Sequence, residues 1–189
     1  MGRVSVNNLE MVKSRVGKQG MVYVFTGEGK GKTSAALWTA VRAAKTGMRV
    51  VVIMWYKEAR WPTVDQEIGD NFENMEIFLM GRGFYQLPTD HASISDHKEA
   101  AKMALELARK NLKKADLLVL DEVVNAIGDG LVNEDDVVGL LESRGKTHLI
   151  LTGRGAGKRL IELADLVTEM KKIKHPFDRG IKAVRGLDY

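Results

Sequence analysis

The amino-acid sequence predicts an α/β fold with a mainly parallel sheet of about six strands and helices on both faces. Three observations carry this. Short, nearly unbroken apolar runs alternate with helical patterns along the chain. The runs are too uniformly apolar for strands with one wet face, so both faces of the sheet are expected to be covered. The first run passes straight into a glycine-rich turn and then an Ala-rich helix, a strand–loop–helix unit.

The elements follow in order. "MVYVFTG" (21–27) reads as a buried strand entering a glycine loop, and "KTSAALWTAVRAAKTG" (32–47) as a helix stopped by Gly47. "MRVVVIMWY" (48–56) and "MEIFLM" (75–80) are the second and third strands. "HKEAAKMALELARKNLKKA" (97–115) carries apolar residues at helical spacing. "DLLVLDE" (116–122) is the fourth strand, and "NEDDVVGLLESR" (133–144) a helix opened by an Asn cap and an acidic first turn. "THLILTG" (147–153), "GKRLIELA" (157–164) and "DLVTEM" (165–170) give a fifth strand, a short helix and a sixth strand. The loops at 57–70 and 81–96 each follow a strand, which puts them at the carboxyl edge of the sheet, where α/β folds bind ligands. Residues 1–20 are expected to be an N-terminal arm, either a short capping helix within 7–18 or a mobile tail, and 21–189 one domain.

Composition narrows the function classes. At 189 residues, 44% hydrophobic and 29% charged, the chain can bury one real core. It has no Cys, which excludes disulfides, zinc-thiolate sites and a cysteine nucleophile. No secretory signal or bilayer-length apolar run is visible, so a cytoplasmic protein with no membrane partner is expected. The net charge of +4 is spread along the chain, apart from "KKIKH" (171–175), and reads as a solvated basic surface; no nucleic-acid partner is expected.

The chemistry concentrates in "TGEGKGKTS" (26–34). The usual phosphate-binding P-loop is G-x-x-x-x-G-K-[ST]. Here the first Gly of that pattern would fall on Thr26, and the loop from Gly27 is one residue short. Its context is nonetheless that of a P-loop. Gly27, Gly29 and Gly31 allow backbone N–H groups to approach phosphate oxygens, and the helix N-terminus adds partial positive charge. Glu28, Lys30 and Ser34 lie in the same phosphate-binding stretch. Lys32 would reach phosphate oxygens and the Thr33 hydroxyl would hold Mg²⁺. "LLVLDE" ends a strand in Asp121 and Glu122, the position from which carboxylates support a nucleotide-bound Mg²⁺. "LTGRG" puts Arg154 at the same edge, free to pair with phosphate or carboxylate. Arg42, ten residues past Lys32, can be read as a nucleotide contact or as a solvated side chain. Trp55, Tyr56 and Trp61 cluster around one strand end, and Phe84 and Tyr85 fall in another edge loop. His175 reads as structural, surface or phosphate-contacting.

The chain resembles the P-loop ATP:corrinoid (cob(I)alamin) adenosyltransferases. The resemblance rests on "FTGEGKGKTSAA", Trp61-Pro62, Gly83-Phe84, "LVLDE", "LTGRG", "ADLVTEM" and the C-terminal "KHPFDRGIKAVRGLDY", in family order from about residue 22 to the end. It implies a RecA-like P-loop fold, a homodimer, and transfer of the adenosyl group of Mg-ATP to the Co(I) of a reduced corrinoid, with triphosphate released. It also implies that the short loop holds ATP in the reverse sense to ordinary P-loop proteins. Lys32, Glu122 and Phe84 become the expected catalytic residues, Phe84 by displacing the lower axial ligand of the corrinoid. The family often has Trp two residues after this Phe, where this chain has Gln86. The resemblance also allows a flavoprotein-type reductant as partner and an N-terminal segment that covers the active site. The competing readings are a P-loop kinase or NTPase, which would need a phosphoryl acceptor site or a water-positioning residue, and an ATP-regulated nucleic-acid or protein-binding module.

Overall fold

A computed structural model of the chain describes residues 19–60, 63–87 and 90–188. The expected helix within 7–18, Trp61 and Pro62 of the "WP" pair, and Tyr189 lie outside the described residues.

Six strands form one parallel sheet among these residues: β1 (Val22–Thr26), β2 (Val50–Met54), β3 (Met75–Leu79), β4 (Leu117–Asp121), β5 (His148–Thr152) and β6 (Leu166–Glu169). Their order is β3-β2-β4-β5-β1-β6. The chain leaves β1 toward β2 on one side, and later crosses from β5 past β1 to β6 on the other. β1 therefore ends at a topological reversal, the place where open α/β sheets hold ligands. β5 separates β1 from β4, pairing Val22 with Leu149 on one side and Leu118 with Leu149 on the other.

Side-chain alternation along the strands feeds two cores. Val24, Ile53, Leu118, Leu120, Leu149 and Leu151 face one way, and Val50, Val52, Met54, Val119 and Ile150 the other. The second face is covered by α1 (Lys32–Lys45) through Ala36, Leu37, Ala40 and Ala44, and by α2 (Val64–Gly69), whose Ile68 packs at the margin. The first is covered by α3 (Ile94–Asn111), α4 (Val123–Gly128), α5 (Glu134–Glu142) and α6 (Lys158–Leu163). Small Ala side chains on the inner faces of α1 and α3 let both helices approach the sheet closely.

Four local expectations change. The 57–70 stretch holds the short helix α2 as well as a loop. α3 begins three residues before His97, because Ser93 and Asp96 form a capping box: the Ser93 side chain accepts from the Asp96 N–H, and the Asp96 side chain accepts from the Ser93 N–H. α4 follows β4 across the single residue Glu122, in a stretch to which the sequence assigned no element. Covering by helices holds for the interior strands, whereas all four residues of β6 are exposed. After β6 the chain runs over the surface to a 3₁₀ turn at Pro176–Arg179. There His175 accepts a hydrogen bond from the Phe177 N–H at 3.2 Å, a turn-capping role.

Candidate active site

The first loop turns at Gly27 (φ 97°) and Gly31 (φ 118°), left-handed conformations that favour glycine. Gly27 and Gly29 also have a packing role. A Cβ on either would meet the Met170 carbonyl oxygen within 2.7 Å, and the Gly29 N–H donates to that same oxygen. The loop is thus braced against the exit of β6. Thr26, in the place of the missing Gly, is buried, and its hydroxyl accepts the Ala156 N–H at 3.1 Å. This ties the end of β1 to the loop after β5, a service Gly could not perform. Lys32 folds into the loop, donating to the carbonyls of Gly27 and Gly29 at 2.7 and 2.8 Å. Two of its three donors are used in this way. Burial and the Arg154 cation hold its pKa below the ordinary value.

β4 delivers the carboxylates. Asp121 is buried, and its Oδ1 accepts from the Thr152 hydroxyl at 2.7 Å. The Thr152 oxygen in turn accepts the Glu122 N–H at 2.8 Å. One buried threonine therefore fixes both acids. Asp121 Oδ2 meets no hydrogen-bond partner among the described residues. Glu122 stands between β4 and α4 at φ 62°, ψ 14°, a left-handed conformation that costs a non-glycine residue about 1 kcal/mol. Burial pushes the Asp121 carboxyl above its ordinary value, against the pull of the Thr152 and Thr33 hydroxyls and the Lys57 cation. Burial, and then the neighbouring Asp121, push Glu122 up to about 7, against Lys57, Lys32 and Arg154.

This electrostatic state is that of oxygen donors short of a positive charge. Thr33, Asp121 and Glu122 suit a hard divalent ion, which takes oxygen ligands. Among the described residues no group of three or more His, Cys, Asp or Glu side chains could hold a metal. An ion here would have to share its coordination with a hydroxyl and with a ligand's own oxygens.

Arg154 reaches the same edge and pairs with Glu28 at 3.1 Å. Its N–H donates to Asn125 Oδ1 at 2.6 Å, so α4 also shapes the loop after β5. Ser34 is exposed in the first turn of α1. Arg42 is exposed in the last turn of α1, about 15 Å along the helix axis from Lys32. It stands apart from the loop. Three residues that sequence reasoning passed over belong to the site: Thr152, Asn125 and Lys57. Lys57, half-buried after β2, pairs with Asp65 at 2.6 Å. A strand-terminal Lys in "WYKE" and a lone Asn in "DEVVNA" were the available signals.

The family model for ATP:corrinoid adenosyltransferase BtuR/CobO/CobP matches residues 18–189. The chain belongs to this family. It is 35% identical over 176 residues to corrinoid adenosyltransferase CobA of Salmonella typhimurium, covering 91% of this chain and 87% of that protein. It is 35% identical over 187 residues to the corrinoid adenosyltransferase of Escherichia coli K12, covering 95% and 93%. Among solved structures, AMPPCP-bound DnaA from Aquifex aeolicus aligns with a TM-score of 0.43 and 18% identity, over 90% of this chain and 48% of that one.

Family membership directs attention to two further places. The adenosyltransferase "GF" pair lies in the loop after β3, where the Phe84 ring is 49% exposed while Tyr85 packs edge-on against His97. Trp55 and Tyr56 are buried, Tyr56 donating its hydroxyl to Asp129. These two are core residues, in contrast to the exposed Phe84. The C-terminal family block returns to the carboxyl edge: Asp188 pairs with Lys30 of the first loop, and Arg185 with Glu67 of α2 at 3.5 Å.

Proposed function

We propose that this carboxyl edge grips the triphosphate of ATP as a leaving group, with Lys32, the 27–31 loop, Thr33 and Glu122 at its centre, and that Phe84 faces the corrinoid. The reaction is that of the family. The electron pair of Co(I) attacks the ribose 5′ carbon, the bond from that carbon to the triphosphate oxygen breaks, and triphosphate departs with the bonding electrons. The cobalt brings its own nucleophile, so the protein's tasks are alignment and stabilisation of the departing anion.

The observation that carries this reading is the gathering of Lys32 and Arg154 at the strand edge beside a carboxylate pair with an unpartnered buried oxygen. Mg²⁺, when bound, would neutralise triphosphate charge, with Thr33, Glu122 and Asp121 as its oxygen donors. Lys32 keeps one N–H for a phosphate oxygen while the loop carbonyls hold it in place. Glu28, Lys30, Ser34 and Arg154 surround the same anion. Arg42 would need a different approach to the nucleotide.

Glu122 near pH 7 also has the acidity of a general base, the one observation that favours ordinary ATP hydrolysis. One assay separates the two. With Mg-ATP and chemically reduced cobalamin, the Co(I) absorbance should disappear while triphosphate accumulates. ADP or orthophosphate as the nucleotide product would overturn the proposal.

A homodimer is part of this reading. Leu166 and Val167 on the bare edge strand, with Ile173 and Phe177 beyond it, offer apolar surface to a second copy; sedimentation as a monomer at micromolar concentration would remove it. A flavoprotein-type reductant and a cytoplasmic location complete the picture. No helix among the described residues is long and apolar enough to cross a membrane.

A further inference from the structure

We infer that Asp90 and His97 form a latch that holds the 83–87 loop, and with it Phe84, in the pose that meets the corrinoid; the inference rests on the role proposed above for Phe84. The loop turns at Gly83 (φ 94°) and again at Gln86 (φ 58°). Gly83 takes that conformation readily. Gln86 does so against the clash between its Cβ and its own backbone, so an outside contact must hold it. That contact is Asp90. Its Oδ2 accepts the Gln86 N–H at 2.8 Å, so the carboxylate grips the strained residue itself.

The other oxygen faces the body of the protein. Asp90 Oδ1 accepts the Ala92 N–H at 3.1 Å and lies 2.9 Å from His97 Nε2. His97 is buried in the first turn of α3 and belongs to that helix, outside the 83–87 loop. Its ring also receives the Tyr85 ring edge-on, with centroids 5.1 Å apart at 67°. The residue next to Phe84 is therefore pinned to the same imidazole as the carboxylate. His97 and the Gln86 N–H hold the Asp90 carboxyl at about 2, so Asp90 stays a carboxylate at any working pH. Beside it, His91 lies 3.4 Å from Glu58, which also pairs with Arg60, joining the base of this loop to the loop after β2.

Among the described residues, Asp90 and His97 make no hydrogen bond to the 27–31 loop or to the Asp121–Glu122 pair. The effect of the latch falls on Phe84 and on Leu87, both about half exposed, which together present apolar surface at the loop's outer face. Asp90 and His97 are thus positioning residues. They act through Phe84 on removal of the corrinoid's lower ligand, and leave attack by preformed Co(I) alone.

The test compares two assays on the full-length enzyme with Mg-ATP: one starts from Co(II) cobalamin and a weak reductant, the other from chemically pre-reduced Co(I). The visible spectrum of enzyme-bound Co(II) reports the fraction that has shed its lower ligand. Asp90→Ala should lower the Co(II) rate roughly tenfold, as expected for loss of one charge-assisted contact, and leave the Co(I) rate within about twofold. The bound Co(II) spectrum should shift back toward the ligated form. Phe84→Ala should lose more from Co(II) than from Co(I), and the double variant should be no worse than Phe84→Ala alone. Gln86→Val, which cannot adopt the left-handed turn, should mimic Asp90→Ala even if that variant folds poorly, and Gln86→Gly should retain activity.

A split for Phe84→Ala but equal losses, or none, for Asp90→Ala and Gln86→Val would overturn the latch alone. Absence of any split for Phe84→Ala would overturn the Phe84 role, and the latch with it.

Discussion

At the β1–β4–β5 end of the carboxyl edge, functional side chains are fixed by neighbours in the sheet itself. Thr152 on β5 holds both acids of β4, Thr26 on β1 holds the loop after β5, and the exit of β6 braces Gly27 and Gly29. At the loop after β3, Phe84 is held through one carboxylate and one imidazole on a helix. The first region is tied into the hydrogen bonding between neighbouring strands, and so opens with the sheet. The second rests on the contacts of Asp90 with one loop and one helix, and can open without the sheet. The difference matches the two tasks proposed for these regions. A leaving group of high charge needs donors that do not reorganise during reaction, whereas an apolar ring that wedges against a bulky substrate needs a surface that can yield on entry.

The largest expected effect sharpens the rigid side of this contrast. Lys32→Ala should lower adenosyl transfer about 10²–10³-fold, the loss typical of removing one preorganised donor. Both the Co(II) and Co(I) assays should fall equally, because triphosphate departure is common to them. Among the described residues the Lys32 ammonium bonds only the carbonyls of its own turn, so the melting temperature should hardly move. A Lys32→Ala variant that kept its Co(I) rate would remove the loop from the chemistry.

Thr152→Val breaks the rigid side from within. The swap keeps the shape but deletes the hydroxyl that donates to Asp121 and accepts from Glu122. Two buried polar groups lose their partner, at about 2–3 kcal/mol of unfolding free energy. Urea denaturation reads it, and activity should fall with it. A change below about 0.5 kcal/mol would mean that the two acids are held by other contacts.

These two residues also mark how far the sequence reached. Lys32 was legible because a strand, a glycine loop and a helix lie consecutively in the chain, and the same local logic exposed Asp121, Glu122 and all six strands. Thr152 was not. It acts across a parallel strand pair thirty positions away, and a threonine ending an apolar strand has the same appearance whether it bonds an acid or water. Asn125 was hidden because α4 follows β4 without a turn signal, the turn being made by Glu122 in a conformation that glycine ordinarily supplies. Asp90 and His97 were legible as residue types only. Their pairing depends on where α3 begins, and the expected start at His97 itself left no helix turn for the Ser93–Asp96 cap. Arg42 is the converse case: the predicted helix over 32–47 already set it almost three turns beyond Lys32, and the structure leaves it exposed there.

The smallest expected effect concerns the strain that the rigid side stores. Glu122 has its pKa raised from 4.5 to about 7 in the folded protein. Between these values the native state binds more protons than the unfolded state, so the stability of the nucleotide-free enzyme should fall as pH rises through that window. The contribution is present below about pH 4.5 and lost above about pH 7. Glu122→Gln copies the protonated form at every pH. It should leave stability nearly unchanged at pH 5 and raise it by about 1–2 kcal/mol at pH 8, less than an isolated shift of this size implies, because Asp121 shares the charge. Chemical denaturation of both proteins from pH 5 to 8 checks the sign: a variant less stable than the parent at pH 8 would mean that Glu122 is stabilised as an anion by Lys57, Lys32 and Arg154, and that the edge is already electrostatically complete without a metal-bound nucleotide.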